Sequence, residues 1–105
     1  MKILWTDFAI ENLKDIFDYY AENASKKIAH KVRKQILDTS LQLLNNSKSG
    51  QIEFHLQNLN QNHRYLLSGN YKIIYRIIDN LIIINDVFDT RREPIKMNDK
   101  NRNKK

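Results

Sequence analysis

HRYLLSGNYKIIYRIIDNLIIINDVFDTRR, residues 63–92, is the stretch that decides how this chain folds. Two turn signals, Ser68-Gly69-Asn70 and Asp79-Asn80, divide it into three short runs rich in Ile, Leu and Tyr. Such runs joined by Gly/Asn turns form antiparallel hairpins, so the spacing predicts a meander over about 63–67, 71–78 and 81–88. Side chains in a strand alternate between faces. In the middle run, Tyr71, Ile73, Tyr75 and Ile77 form a wholly apolar or aromatic set that should meet the rest of the core. Lys72, Ile74, Arg76 and Ile78 take the other face. Lys72 and Arg76 should therefore stand on an open face of the sheet, because cations are costly to bury. Arg64 joins them if the first hairpin has a three-residue loop and not if it has a two-residue loop. Arg91 and Arg92 follow the last strand at its exposed end, and Pro94 should stop that strand.

Upstream, Met1 to Trp5 is a short apolar run that reads as an edge or central strand. Thr6 or Asp7 then offers a side-chain oxygen to cap a helix. In that helix Leu13, Ile16, Phe17 and Tyr20 recur at the spacing of one helical face. The acids Asp7, Glu11, Asp15, Asp18 and Glu22 fall largely elsewhere, and that periodicity favours a solvated face over a general acid/base set. Ser25 is a second cap, and a helix over about 26–44 should bury Ala29, Val32, Ile36 and Leu43. Lys27, Lys31 and Lys34 make a basic row on it. Asn45 to Gly50 is a loop. Ile52, Phe54 and Leu56 alternate with Glu53 and His55, the pattern of a half-buried strand. The order gives an α+β fold: an N-terminal strand, a two-helix hairpin, then an antiparallel β-meander with the helices packed on one face of the sheet.

A chain of 105 residues is one domain, expected over residues 1–95. Residues 96–105 have almost no apolar content and are expected to be a mobile basic tail. With 41% apolar and 29% charged residues, the composition is that of a globular protein. The absence of cysteine excludes disulfides and thiolate chemistry. No apolar run approaches the about 20 residues needed to span a bilayer, and the N-terminus lacks the pattern of a signal peptide. A cytoplasmic location without membrane association is the expectation. The net charge of +6 is uneven: residues 1–22 carry −3 and the remainder +9. That asymmetry points to an anionic partner on one side of the molecule.

Metal or cofactor chemistry is not expected. His30, His55 and His63 are scattered without a ligand-like spacing, and Gly50 and Gly69 are turn residues rather than a phosphate loop. The strand cations remain. Guanidinium and ammonium groups can bind phosphates and stabilise charge on a phosphoryl group without a metal. The competing reading makes them ordinary ion pairs, Arg76 with Asp79 or Asp86 and Arg92 with Glu93 or Asp89.

From about residue 3 to 97 the chain resembles the RelE/ParE superfamily of toxins from type II toxin–antitoxin modules. The resemblance rests on Ala9, Leu13, Ile16 and Tyr20, on Ser25 and Ala29, and on Leu43-Leu44 and Gly50. Above all it rests on Arg64-Tyr65-Leu66, on Gly69-Asn70-Tyr71-Lys72-Ile73-Ile74-Tyr75, and on Val87-Phe88-Asp89-Thr90-Arg91-Arg92-Glu93-Pro94. It implies a growth-inhibiting toxin neutralised by a cognate acidic antitoxin that is partly disordered when free. RelE-like members cleave mRNA in the ribosome without metal, whereas ParE-like members inhibit DNA gyrase and are not nucleases. On the nuclease branch, Lys72 matches a catalytic Arg, Arg92 matches the Arg beyond the last strand, and Arg64 lies near a catalytic Lys. Arg76 and Arg91 would then serve anion or target binding. No Tyr or His follows Arg92 as a proton-transfer group, although His63 or His55 could act as a base. That gap sets gyrase inhibition slightly ahead of mRNA cleavage and leaves open whether the protein is an enzyme. A small nucleic-acid-binding regulator is the outside alternative.

Overall fold

The computed structural model describes residues 1–93 and 96–97. Strand β1 (Lys2–Trp5) leads into helices α1 (Asp7–Asn23) and α2 (Lys26–Leu41), the latter continued by a 3-10 turn over Gln42–Leu44. A two-residue strand β2 (Gln51–Ile52) and a 3-10 segment (Phe54–Leu59) follow. The chain then forms the meander β3 (Arg64–Ser68), β4 (Tyr71–Ile78) and β5 (Leu81–Asp89). The five strands lie in the order β1-β5-β4-β3-β2. The meander is antiparallel, but β1 runs parallel to β5 at the sheet's edge, so the sheet is mixed. The α+β architecture is the one the sequence predicts.

Both helices start where their caps place them. The Thr6 hydroxyl accepts from the Ala9 N–H at 3.1 Å, and the Ser25 hydroxyl accepts from the Ile28 N–H at 3.1 Å. Each satisfies a donor that the first helical turn leaves free. The Thr6 N–H also bonds the Ile84 carbonyl at 3.0 Å, which ties the start of α1 to the middle of β5. The hairpin then lays Ala9 and Ile36, with Leu43 beyond α2, against Tyr71, Ile73, Tyr75, Ile82, Ile84 and Val87. The β4 alternation thus holds, with its odd-numbered residues turned to the helices.

The opposite face is not open. Ile74 and Phe88 are fully buried there beneath Leu56 and Met97, with Tyr65 packed beside them. The cover comes from the segment expected to be a strand through Leu56. Only Gln51 and Ile52 pair with β3. Beyond them the Glu53 carboxylate accepts from the His55 N–H at 3.2 Å and opens a 3-10 turn. That turn swings Leu56 inward and leaves Phe54 72% exposed. Of the tail expected from Lys96, Met97 is buried on this face, and residues 98–105 and Pro94 lie outside the described residues.

One irregularity matters for the site. The β4–β5 ladder passes from Ile74↔Asp86 to Tyr75↔Ile84, leaving Asn85 as the extra residue of a bulge. There Asp86 accepts from the Asn12 side chain of α1 at 2.8 Å, and the Asn85 carbonyl accepts from the Thr6 hydroxyl at 3.2 Å.

The Tyr75 hydroxyl fastens the loop after α2. It donates to the Ser47 carbonyl at 2.8 Å and accepts from the Gly50 N–H at 3.0 Å. A Cβ on Gly50 would lie 2.5 Å from that hydroxyl and 2.8 Å from the Tyr65 carbonyl, so only glycine fits. Tyr75→Phe should cost about 2 kcal/mol because it strands two backbone groups. Gly50→Ala should cost about 1–3 kcal/mol through overpacking. Urea midpoints read at constant slope test both, and the double variant should be less than additive because the two residues share one contact.

Candidate functional site

Two polar regions emerge from this framework, one on the covered face and one at the end of the sheet. The first is built around Lys72. Its Nζ lies 2.7 Å from a carboxylate oxygen of Glu53 and 4.2 Å from the centre of the Tyr65 ring. The Glu53 side chain is 1% exposed and that of Lys72 is 18% exposed, so the pair is largely removed from water. A charge so placed needs its partner, because the desolvation loss is repaid only while both are present. Lys72 is therefore committed to holding the 53–59 segment on the sheet.

Arg64 is elsewhere. The first hairpin has a two-residue loop, Gly69-Asn70, with Ser68 paired to Tyr71 and Gly69 in the left-handed region (φ 57°). That register pairs Arg64 with Tyr75 and puts it on the face opposite Lys72. Its guanidinium donates to the Gly50 carbonyl at 2.9 Å, bracing the loop after α2. Arg76 shares the face of Lys72, but neither Asp79 nor Asp86 pairs with it. Among the described residues its guanidinium makes no ion pair, and its Nε is buried without a hydrogen bond. Near it His63 is 5% exposed, with a buried Nδ1 that has no hydrogen-bond partner. Burial, and then the Arg76 charge, lower the His63 pKa, against a smaller opposing effect of Glu53. His55 is exposed on the covering segment, and His30 packs edge-on against Phe17 at 5.0 Å.

The second region is a groove of about 420 Å³ between α1 and the end of β5. Tyr19, Asp15 and Ile16 form its helical wall, with Tyr71, Asp89, Arg91 and Arg92 opposite. The Arg91 guanidinium grips Asp89 through Nε at 2.9 Å and Nη2 at 2.8 Å, a forked geometry that fixes its direction. That contact holds the Asp89 carboxyl below its ordinary range. Burial and a 3.2 Å hydrogen bond to Tyr20 push the Tyr71 phenol well above the usual tyrosine range. Arg92 makes no ion pair among the described residues and leans over Phe88 at 5.9 Å. The five strand and strand-end cations thus fall into three places. Lys72 and Arg76 are on the covered face, Arg64 is on the helix side, and Arg91 is in the groove, which Arg92 also lines while leaning over Phe88 of the covered face.

The sequence reading missed Glu53 and Tyr19. Glu53 looked like the solvent residue of an alternating strand, and the only hint of its role was an unmatched Lys72. Tyr19 falls off the α1 core stripe and stands 55% exposed on the wall of the groove, and its spacing carried no signal that would have set it apart.

A helical hairpin against a meander, with an N-terminal strand closing the far edge, makes a small α+β fold. It is similar to a solved structure described as the chromosomal ParDE toxin–antitoxin system from P. aeruginosa, at a TM-score of 0.71 and 20% identity, covering 85% of this chain and 95% of that one. The chain belongs to the family of ParE toxins of type II toxin–antitoxin (parDE) systems, whose model it matches over residues 3–94. No curated protein matches it. Among the described residues no helix is long and apolar enough to cross a membrane.

Two stability predictions follow from the covered face. Lys72→Ala leaves Glu53 buried and unpaired and should destabilise the fold by about 3 kcal/mol, whereas Lys72→Met with Glu53→Leu should recover most of that loss. Chemical denaturation of the single and double variants decides it. For His63 the native pKa lies below the ordinary 6.5. Above pH 6.5 both folded and unfolded chains carry the neutral ring and the contribution is level. As pH falls through 6.5 the unfolded chain takes up the proton more readily, so stability drops until the native ring also titrates. Asp89 acts in a separate window, its contribution present above 3.8 and lost at more acid pH. Thermal midpoints from pH 7.5 to 5 should therefore fall in the wild type and flatten in His63→Gln.

Proposed function

We propose that this protein is the toxin of a type II module that arrests growth by inhibiting DNA gyrase, and that a cognate acidic antitoxin neutralises it in the cytoplasm. The observation that carries the choice of mechanism is the Lys72–Glu53 pair, 2.7 Å long and largely buried. A ribonuclease of the related branch gathers free cations around one phosphate and needs a proton-transfer group beside them. Here the cation at the corresponding position is engaged by a carboxylate, and Arg64 lies on the other face of the sheet. Arg92 leaves from the strand's end without an imidazole or phenol after it. Such an arrangement favours binding over catalysis, and it favours the groove of Arg91, Arg92 and Tyr19 as the surface offered to the target. Aromatic and arginine side chains at the centre of a surface hollow are the groups that dominate protein interfaces.

The basic charge of +6 suits a partner of opposite sign. Electrostatic attraction of this kind raises the rate at which an acidic antitoxin captures the toxin.

In a purified supercoiling assay without ribosomes, the protein should block gyrase. Arg92→Ala and Tyr19→Ala should each weaken inhibition about tenfold or more while leaving the thermal midpoint unchanged. A translation reaction should show intact mRNA. Codon-biased cuts that disappear in the Lys72→Met, Glu53→Leu double variant, with gyrase unaffected, would instead identify a ribosome-dependent nuclease.

A further inference from the structure

The two edges of the sheet are finished differently. At one edge β2 is only Gln51–Ile52 before the chain leaves for its 3-10 segment, and a very short strand is one way sheets blunt an edge. At the other edge β1 runs Lys2–Trp5 without a proline or a bulge, and no strand among the described residues pairs with its outer side. The helices lie elsewhere, α1 over β5 and α2 over β3 and β4. No residue of β1 is fully buried.

The bonds on the inner side of β1 fix which groups face outward. Lys2 and Thr6 donate their N–H groups to the Asn80 and Ile84 carbonyls at 3.4 and 3.0 Å. In a parallel pair one residue turns its N–H and C=O toward its neighbour and the next turns both away. Ile3 and Trp5 therefore aim their backbone groups outward. Their side chains pack on the core beneath the helices. Leu4, on the other face, is 47% exposed beside Ile83.

We propose that this edge pairs with the same edge of a second copy, antiparallel about a two-fold axis at Leu4, so that one sheet runs through both subunits. The run Lys2-Ile3-Leu4-Trp5-Thr6-Asp7 complements itself in that register. Ile3 meets Trp5 of the partner subunit, and the two exchange their outward backbone bonds. That pair also sets a β-branched side chain against an aromatic one, a favourable cross-strand combination. Leu4 meets Leu4 of the partner subunit at the closely spaced, non-hydrogen-bonded position, which takes an exposed apolar side chain out of water. Lys2 comes opposite Thr6 of the partner subunit and beside Asp7 of the partner subunit, so opposite charges meet at both ends of the ribbon. Thr6 keeps an extended backbone (φ −69°, ψ 158°), so the strand reaches this far before α1 begins. A ribbon this short buries less than the about 1,200 Å² of a standard interface, so the dimer is weak and forms as concentration rises. The groove of Arg91, Arg92 and Tyr19 lies past the other end of β5 and takes no part, so the pairing stands apart from the gyrase reading.

The test is sedimentation velocity of the full chain, without an N-terminal tag, from about 10 µM to about 1 mM. The sedimentation coefficient should rise with concentration in the wild type and stay at the monomer value in Leu4→Lys, which sets like charges against each other on the axis. Leu4 lies outside the buried core, so the thermal midpoint of that variant should hold. Lys2→Glu should weaken association about tenfold, since it acts at both ends, and adding Asp7→Lys should restore it. A general loss of stability would not be rescued in this way. The chain has no cysteine, so Leu4→Cys gives each subunit a single thiol. Across the axis the two Cα atoms would lie about 4.5 Å apart, within disulfide reach. Mild oxidation should link Leu4→Cys into a dimer faster than the control Leu67→Cys on β3, whose side chain is comparably exposed. A dimer that persists in Leu4→Lys, or crosslinking no faster at position 4 than at 67, would overturn the proposal. A wild type still monomeric at about 1 mM would also overturn it, in favour of a strand from a different protein at this edge.

Discussion

From Tyr71 to Tyr75 strand β4 is enclosed on both faces, and it carries a lysine within that enclosure. The arrangement of the chain after α2 answers this constraint. The odd-numbered side chains of β4 are covered by the helical hairpin, as two amphipathic helices joined by a short loop require. The even-numbered ones would expose Ile74 beside Lys72 unless something lay over them. The segment from Glu53 to Leu59 does so with two contacts of different kinds. Leu56 adds the apolar surface that Ile74 and Phe88 need, and Glu53 adds the single negative charge that makes Lys72 tolerable there. Neither contact works alone. An apolar cover would leave the ammonium buried without a partner, and a carboxylate without Leu56 would leave the pair in water, where an exposed ion pair contributes little.

Much of this was readable before the structure because it depends on local rules. Thr6 and Ser25 sit where an oxygen must stand to begin a helix, and the parity of Tyr71, Ile73 and Tyr75 follows from the geometry of any strand. The failures lie where two local readings are equally good. Ile52, Phe54 and Leu56 alternate like a strand, yet the second and third belong to a 3-10 turn. What separates the two readings is the Lys72–Glu53 pair, a contact across 19 positions that no periodicity reports. Arg64 is the sharper case. Its face depended on one residue more or less in the hairpin loop, and a shift of one reverses every side chain of the strand.

The ion pairing of the last strand was half legible. The sequence offered Asp89 as a partner for Arg92, but the pair formed is Asp89 with Arg91. The reason is geometric. At the end of β5 the Asp89 carboxylate accepts from the Arg91 N–H at 2.9 Å, closing a small turn that brings the Arg91 guanidinium round to the same carboxylate. Arg92 is then carried past it, toward Phe88. An Asp that organises its own following backbone in this way is common at turns. It leaves the second arginine as the groove's unpaired cation among the described residues.

The same logic bears on how a toxin fold can change its chemistry without changing its shape. For Lys72 to reach a scissile phosphate it would have to leave Glu53 buried and alone. Breaking a buried pair from one side costs about 3–5 kcal/mol, equivalent to a factor of roughly a hundred to several thousand in the stability of the productive complex. A catalytic cation gains nothing from such a starting point, since its value lies in being preorganised for the transition state and not for a neighbour. One carboxylate at position 53 thus moves the β4 lysine from possible chemistry to architecture.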